Sequence, residues 1–179
     1  LPSYKLESTS PEHNIAQMSE ISINSKSIDK QFSDHTPFFT WVEFSITDLC
    51  NRKCSFCPRF DENVYPNNNQ EIKLKLYEKI MNELSCYNWE GGIVFSGFGE
   101  PLLHNKLYDL ISITKKYLKN SILIIITNGD QLNAKICTKL YEHGLDILKV
   151  SLYDGAHQIN HFNNMRKKVG VDKKRFILR

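Results

Sequence analysis

Apolar and polar residues along this chain follow two periods, one typical of β-strands and one typical of helices. Aromatic and β-branched residues roughly alternate with polar ones over 41–47, which predicts a first strand. Short apolar runs predict four more strands at 93–95, 122–126, 147–152 and 176–178. Apolar residues at helical spacing predict four helices, the last of them, over 156–168, more weakly. The first is marked by Leu76, Ile80 and Leu84, with Tyr77 and Met81 beside them. The second is marked by Leu107, Leu110, Ile111, Tyr117 and Leu118, and the third by Ile136, Leu140 and Tyr141.

The order of these elements predicts the fold class. Strands that alternate with helices of this length predict an α/β fold with parallel strands, either a doubly wound sheet or a barrel. The run 122–126 is apolar at every position, as in a strand buried on both faces of a parallel sheet. Residues 1–38 are polar and aperiodic and predict a flexible leader. The folded domain is therefore expected over 39–179, truncated near the fifth strand.

Composition restricts the classes of function. Hydrophobic residues make up 41% and charged residues 24% of the chain, which is an ordinary globular mixture. The net charge of +3 is too small to predict a nucleic-acid partner, and the longest apolar run is far shorter than a membrane span. Three of the five cysteines lie close together, which does not suit a secreted disulfide scaffold. Clustered thiols indicate metal ligands in a reducing compartment, so we expect a cytoplasmic protein.

Cys50, Cys54 and Cys57 form a C-x3-C-x2-C pattern directly after the first predicted strand. Thiolates bind soft metal centres, and three protein ligands leave one iron of a four-iron cluster open to a small molecule. Two alternatives stay open at this point. One is a structural zinc ion that takes a distant fourth ligand such as Cys86 or Cys137. The other is a ferredoxin-type electron carrier, whose cysteine runs also end in Cys-Pro.

Phe56 fills the position before the last cysteine, and the pattern C-x3-C-x-aromatic-C resembles the signature of the radical S-adenosylmethionine (SAM) family. The resemblance implies a [4Fe-4S] cluster on Cys50, Cys54 and Cys57, with its fourth iron chelated by the amino and carboxylate groups of SAM. It also implies that Phe56 lies near the adenine of SAM. The implied fold is a partial (β/α) barrel of the radical SAM type.

Three further motifs follow the next three predicted strands. Taken singly, each has a structural interpretation, such as a glycine turn, an Asn-Gly turn or a helix N-cap at Asp154. Together they fall at the carboxyl ends of successive strands, where parallel α/β folds bind ligands. The first resembles the family's Gly-Gly-Glu motif, which holds the SAM amino group, with phenylalanine in place of the first glycine. The residues that the resemblance implies as SAM contacts are Gly97, Phe98, Gly99, Glu100, Thr127, Asn128 and Ser151.

The resemblance implies an enzyme that receives one electron from an external flavodoxin- or ferredoxin-like donor. Reductive cleavage of SAM then gives methionine and a 5′-deoxyadenosyl radical, which abstracts a hydrogen atom from a peptide, sugar or other small molecule. The Cys-Pro-Arg sequence ending at Arg59 is similar to members with a C-terminal SPASM-type extension, which would lie beyond Arg179. Arg59 itself is expected either to contact substrate or to lie in solvent. The alternative from another class is a non-catalytic iron-sulfur electron carrier or metal-binding domain.

Overall fold

Five parallel strands form one sheet, in the order β1-β2-β3-β4-β5, in the computed structural model, which describes residues 39–179. The leader predicted over 1–38 lies outside the described residues. Each strand pairs in parallel with its neighbour in sequence. The strands are β1 (Trp41–Phe44), β2 (Gly92–Phe95), β3 (Leu123–Thr127), β4 (Ile147–Val150) and β5 (Phe176–Leu178).

One α-helix lies in each connection between consecutive strands. The helices are α1 (Leu74–Cys86), α2 (Leu107–Tyr117), α3 (Ala134–Glu142) and α4 (His157–Val169). Each helix packs against the next one in sequence. A sequential, all-parallel strand order with a helix in every connection is the arrangement of a segment of a (β/α) barrel. The predicted α/β class and partial barrel are therefore confirmed.

The first strand is shorter than its sequence pattern predicts. It ends at Phe44 rather than at Thr47, because the chain after it pairs with the segment before α1 instead of with β2. Ile72 N donates to Ile46 O at 2.8 Å, and a single antiparallel bridge joins Thr47 to Glu71. This pairing directs the chain out of the sheet and into the cysteine loop.

The buried face of α1 is shifted by one position from the predicted stripe of Leu76, Ile80 and Leu84, because Tyr77 and Met81 take the place of the first two. Tyr77, Met81 and Leu84 are buried, whereas Leu76 is 53% exposed. The Tyr77 hydroxyl lies 2.6 Å from Thr114 Oγ1, and its ring contacts aromatic rings of β1 and β2. Tyrosine buries a larger apolar area than leucine and here also has a hydrogen-bond partner, so it takes the core position.

The inner strands carry the core of the sheet. All four residues of β2 are buried, as are four of the five residues of β3, which is the pattern of strands covered on both faces. Because the strands are parallel, the loops that follow β1, β2, β3 and β4 all leave the same edge of the sheet. None of the helices between residues 39 and 179 has the length and apolar character needed to cross a membrane.

Candidate functional site

The cysteine loop, from Cys50 to Cys57, follows β1 at the carboxyl edge of the sheet. Cys57 N donates to Cys54 O at 2.9 Å, and this turn leads directly into a short 3-10 helix, Pro58–Phe60. Cys50 is held by Asn67, whose Oδ1 accepts from Cys50 N at 3.1 Å. All three cysteines are partly buried and line one cavity.

That cavity brings together all eleven site residues that the sequence predicts. It encloses about 560 Å³, part of which is open to solvent. The predicted residues in its wall are Cys50, Cys54, Phe56 and Cys57 after β1, Gly97, Phe98, Gly99 and Glu100 after β2, and Thr127, Asn128 and Ser151 at the ends of β3 and β4. Four segments far apart in sequence thus converge where parallel α/β folds place their ligand sites.

The spacing of the thiols bears on which metal group they fit. Within residues 39–179, no three Cys, His, Asp or Glu side chains lie close enough together to hold a single metal ion. Cys86, exposed on α1, and Cys137, buried in α3, are both absent from the cavity wall. A closed zinc site needs four ligands around one ion, so these observations do not favour the zinc alternative. In a four-iron cluster each cysteine binds a different iron, and three thiols distributed around one cavity fit that requirement.

Burial and nearby charges act on these thiols in different directions. Burial raises the pKa of Cys50, the Glu100 carboxylate acts in the same direction, and the Arg59 guanidinium opposes both. Burial also raises the pKa of Cys54, against the positive charge of Arg52. Because the thiolate is the form that binds metal, a metal group bound at these cysteines would displace their protons.

Glu100 joins the turn after β2 to the end of β3. The residue is 3% exposed, and its Oε1 accepts from Thr127 Oγ1 at 2.6 Å and from Leu102 N at 3.0 Å. Its Oε2 accepts from Asn128 N at 2.8 Å. Burial raises the pKa of this carboxyl, while the three hydrogen bonds act in the opposite direction. A carboxylate accepts about four hydrogen bonds, so about one acceptor position remains for a ligand ammonium.

Gly99 allows the turn after β2 to approach the entry to the cysteine loop. A Cβ atom at this position would lie 1.8 Å from Thr47 O, so no other residue fits without moving the backbone. The next residue, Glu100, donates from its backbone N to Leu49 O at 2.7 Å. These two contacts fix the turn after β2 against the segment that leads to the cysteines.

Arg52, which the sequence analysis does not single out, joins the cysteine loop to the segments after β3 and β4. Its Nε donates to Asp130 Oδ2 at 2.6 Å and its Nη1 to Asp154 Oδ1 at 2.8 Å. We call these three residues the Arg52 clasp. Hydrogen bonds to Asp130 and Asp154 raise the pKa of Arg52, and the same pairing lowers the pKa of Asp154. The predicted helix N-cap at Asp154 is wrong, because α4 is capped at Ala156 and the Asp154 carboxylate is committed to Arg52.

Arg59 fits neither of the two roles expected from the sequence. It does not line the cavity, and it is only 3% exposed. Its Nε donates to Phe98 O and its Nη1 to Asn67 Oδ1 at 2.9 Å. The guanidinium carbon lies 4.8 Å from the centre of the Tyr65 ring. The 3-10 helix after Cys57 therefore directs this arginine inward, against the turn after β2.

Besides Arg52, the sequence analysis misses four residues of the cavity wall, namely Ser96, Ile126, Tyr153 and Arg179, and the last two add an aromatic ring and a cation. Tyr153 places its ring 5.4 Å from that of Phe56, which is 71% exposed. Arg179, directly after β5, donates from Nε to Ser151 Oγ at 3.2 Å. The rule that singled out four strand ends would have found Arg179 if it had been applied to the fifth. Tyr153 carries no comparable signal beyond its position near a strand end.

The family of the chain follows from this fold and site together with a direct sequence match. The sequence model of the Radical SAM superfamily matches residues 44–175, which include every strand end that lines the cavity except that of β5. The chain belongs to the radical SAM superfamily.

Among its relatives is the S-adenosyl-L-methionine-dependent 2-deoxy-scyllo-inosamine dehydrogenase of Niallia circulans, 33% identical over 118 residues that cover 66% of this chain and 46% of that protein. The GTP 3′,8-cyclase of Clostridium perfringens is 29% identical over 112 residues, which cover 63% of this chain and 34% of that enzyme. The chain thus matches about half of the first relative and about a third of the second.

A solved structure gives the same result for the fold. The crystal structure of BtrN in complex with AdoMet and 2-DOIA superposes with a TM-score of 0.69 at 30% sequence identity. The match covers 79% of this chain and 56% of that chain. The relatives found by sequence and by structure are therefore radical SAM enzymes of greater length.

Proposed function

We propose that this chain is the core of a radical SAM enzyme, with a [4Fe-4S] cluster on Cys50, Cys54 and Cys57 and SAM in the cavity beside them. One observation carries the proposal, namely that eleven residues predicted from four separate segments line a single cavity at the carboxyl edge of the sheet. Residues 39–179 form one compact unit, which supports a core domain of that extent. When bound, the cluster and SAM supply one-electron cleavage of the sulfonium and a 5′-deoxyadenosyl radical for hydrogen abstraction.

The residues of the cavity wall divide the binding task among them. Phe56 and Tyr153 form an aromatic wall that suits the adenine ring. Glu100 orients the Thr127 hydroxyl and the Asn128 backbone, and its remaining acceptor position suits an ammonium. Ser151 offers a hydroxyl already bonded to the Arg179 guanidinium, a pair that suits a carboxylate or a ribose.

The substrate that we propose is a small molecule, and an external flavodoxin- or ferredoxin-like protein is the proposed source of the electron. The names of the two relatives support the substrate class, because they specify 2-deoxy-scyllo-inosamine and GTP. A peptide or sugar also belongs to the proposal, because the chain matches only about half of the first relative and about a third of the second.

The first test is cluster assembly under anaerobic conditions. We expect about four irons per chain after reconstitution, and loss of most of the iron in Cys50→Ala, Cys54→Ala and Cys57→Ala. The matched controls are Cys86→Ala and Cys137→Ala, which remove a thiol away from the cavity and should keep the iron. Stoichiometric zinc without iron-sulfur absorbance in anaerobically purified protein would contradict the proposal.

The second test separates an enzyme from an electron carrier. Addition of SAM should change the electron paramagnetic resonance spectrum of the reduced cluster, because SAM occupies the iron that no cysteine binds. Dithionite should then release 5′-deoxyadenosine slowly in the absence of substrate, as measured by chromatography. A spectrum that ignores SAM, together with no 5′-deoxyadenosine, would make the electron carrier the better account.

Glu100→Gln tests the SAM pocket without removing a cluster ligand. The amide keeps the shape but loses the negative charge, and it leaves the Thr127 hydroxyl or the Asn128 N–H without its acceptor. A hydrogen bond to a charged group contributes roughly 1.5–3 kcal/mol, so SAM affinity should fall about tenfold to a hundredfold while the iron stays. Glu90→Gln, whose carboxylate bonds exposed Asn120, is the matched control and should change neither quantity.

A further inference from the structure

Arg59 is a buried cation without a charged partner. It is 3% exposed, and among residues 39–179 it makes no ion pair. Its hydrogen bonds go to two neutral acceptors, Phe98 O and Asn67 Oδ1, and its Nη2 is buried without any partner. Burial of a charge is costly unless an opposite charge compensates for it. The part of the chain that the structure describes therefore provides a cation here but no anion paired with it.

The position of this cation relates it to the first cysteine. Asn67 Oδ1 accepts from Arg59 Nη1 at 2.9 Å and from Cys50 N at 3.1 Å, so the two residues share one acceptor. Glu100, the other buried charge nearby, accepts from Thr127 Oγ1 and from two backbone N–H groups and does not pair with Arg59.

We propose that Arg59 is a positioning residue that supplies the counter-charge of the iron-sulfur centre, with the Phe98 carbonyl and Asn67 holding its guanidinium beside Cys50. This role rests on the proposed function, because the anion that Arg59 would compensate is the cluster together with its three cysteine thiolates. Reduction adds one electron and no proton to such a centre, so its net charge becomes one unit more negative. A fixed cation that shares an acceptor with Cys50 favours the reduced state and raises the midpoint potential.

The test is an anaerobic potentiometric titration of the reconstituted chain and its variants, with the electron supplied by an electrode through mediators. Arg59→Gln removes the charge, and we expect the equilibrium constant for reduction to fall about tenfold, which corresponds to about 59 mV for a one-electron couple. Arg59→Lys keeps the charge but loses the guanidinium geometry. Its equilibrium constant for reduction should therefore stay within about threefold of the wild-type value. Arg59→Met replaces Arg59→Gln if circular dichroism shows that the glutamine variant does not fold.

Arg166→Gln is the matched control. Arg166 is also a buried arginine, 8% exposed, but its Nη1 donates to Val171 O in the connection that leads into β5, away from the carboxyl edge of the sheet. Its substitution removes the same charge and should leave the potential unchanged.

The outcomes distinguish this role from the proposed function. A wild-type chain that binds no iron contradicts the proposed function itself. If the wild-type chain binds iron but its cluster has the same midpoint potential as in the neutral Arg59 variants, the counter-charge role alone is overturned. Equal shifts in Arg59→Lys and Arg59→Gln would also overturn it, because they would assign the effect to the hydrogen bonds rather than to the charge.

Discussion

Two arginines, one within the cysteine loop and one directly after it, lie in opposite electrostatic surroundings. Arg52 joins the loop to the segments after β3 and β4, where Asp130 and Asp154 meet its guanidinium at 2.6 and 2.8 Å. Arg59 joins it to the turn after β2, where a carbonyl and an amide oxygen are its acceptors. The first cation is matched by two carboxylates, and the second has none among the described residues.

This difference separates two tasks that arginine performs in a binding site. When carboxylates compensate the charge of an arginine, the arginine attracts a charged ligand only weakly. Its planar guanidinium then mainly holds together the backbone segments that contribute the paired residues. A buried cation with neutral acceptors keeps its charge for something that the polypeptide does not supply. The predictions below alter one side of this contrast at a time.

Arg52→Ala should have the largest effect on stability. It breaks the Arg52 clasp and leaves Asp130 and Asp154 close together without a cation. After allowance for solvent screening, the Tm of the cluster-free chain should fall by about 2–4 °C, and the variant should retain less iron. Lys53→Ala, which breaks the exposed ion pair with Glu62 in the same loop, is the matched control and should leave Tm nearly unchanged. Equal Tm values in both variants, measured by differential scanning calorimetry, would contradict a structural role for the clasp.

Asn67→Asp should make Arg59 resemble Arg52. The new carboxylate receives the Nη1 hydrogen bond and compensates the buried charge, so the Tm of the cluster-free chain should rise by about 2 °C. The same compensation should reduce the equilibrium constant for cluster reduction by about threefold. Asn68→Asp adds the same charge at the neighbouring position and is the control. A rise in potential in Asn67→Asp would contradict the proposed effect of Arg59 on the cluster.

Acid should weaken the Arg52 clasp, and this is the smallest expected effect. Arg52 holds the pKa of Asp154 below its ordinary value, so the pairing stabilises the fold above the unfolded pKa of about 3.9 and is lost as pH falls through the folded pKa. The difference in Tm between wild type and Arg52→Ala should therefore be constant from about pH 7 to pH 5 and shrink below about pH 4. A difference that persists in full to about pH 2 would assign the effect of Arg52→Ala to something other than its carboxylate partners.

The sequence was sufficient to predict the order of the elements and the edge at which the site lies. The apolar run 122–126 could be interpreted locally as a buried strand, and the structure has β3 at Leu123–Thr127. The cysteine loop and the motifs at strand ends were also found, because parallel strands bring their carboxyl ends to one edge regardless of the details of packing.

The properties that depend on contacts distant in sequence could not be predicted. Tyr77 rather than Leu76 faces the sheet because Thr114, on another helix, bonds its hydroxyl. The burial of Arg59 depends on Phe98 and Asn67, which lie in two different segments. Local periodicity carries no information about either contact.

The separation of the clasp residues along the chain has a consequence for biosynthesis. Asp130 lies 78 residues and Asp154 102 residues after Arg52. At about 5–20 residues per second, a ribosome adds Asp154 roughly 5–20 s after Arg52. For almost all of that interval the nascent chain carries the three cysteines of the loop without both carboxylates of the Arg52 clasp. If the chain binds the proposed cluster, delivery of iron and sulfide would be productive only after β4 and the segment that follows it have left the ribosome.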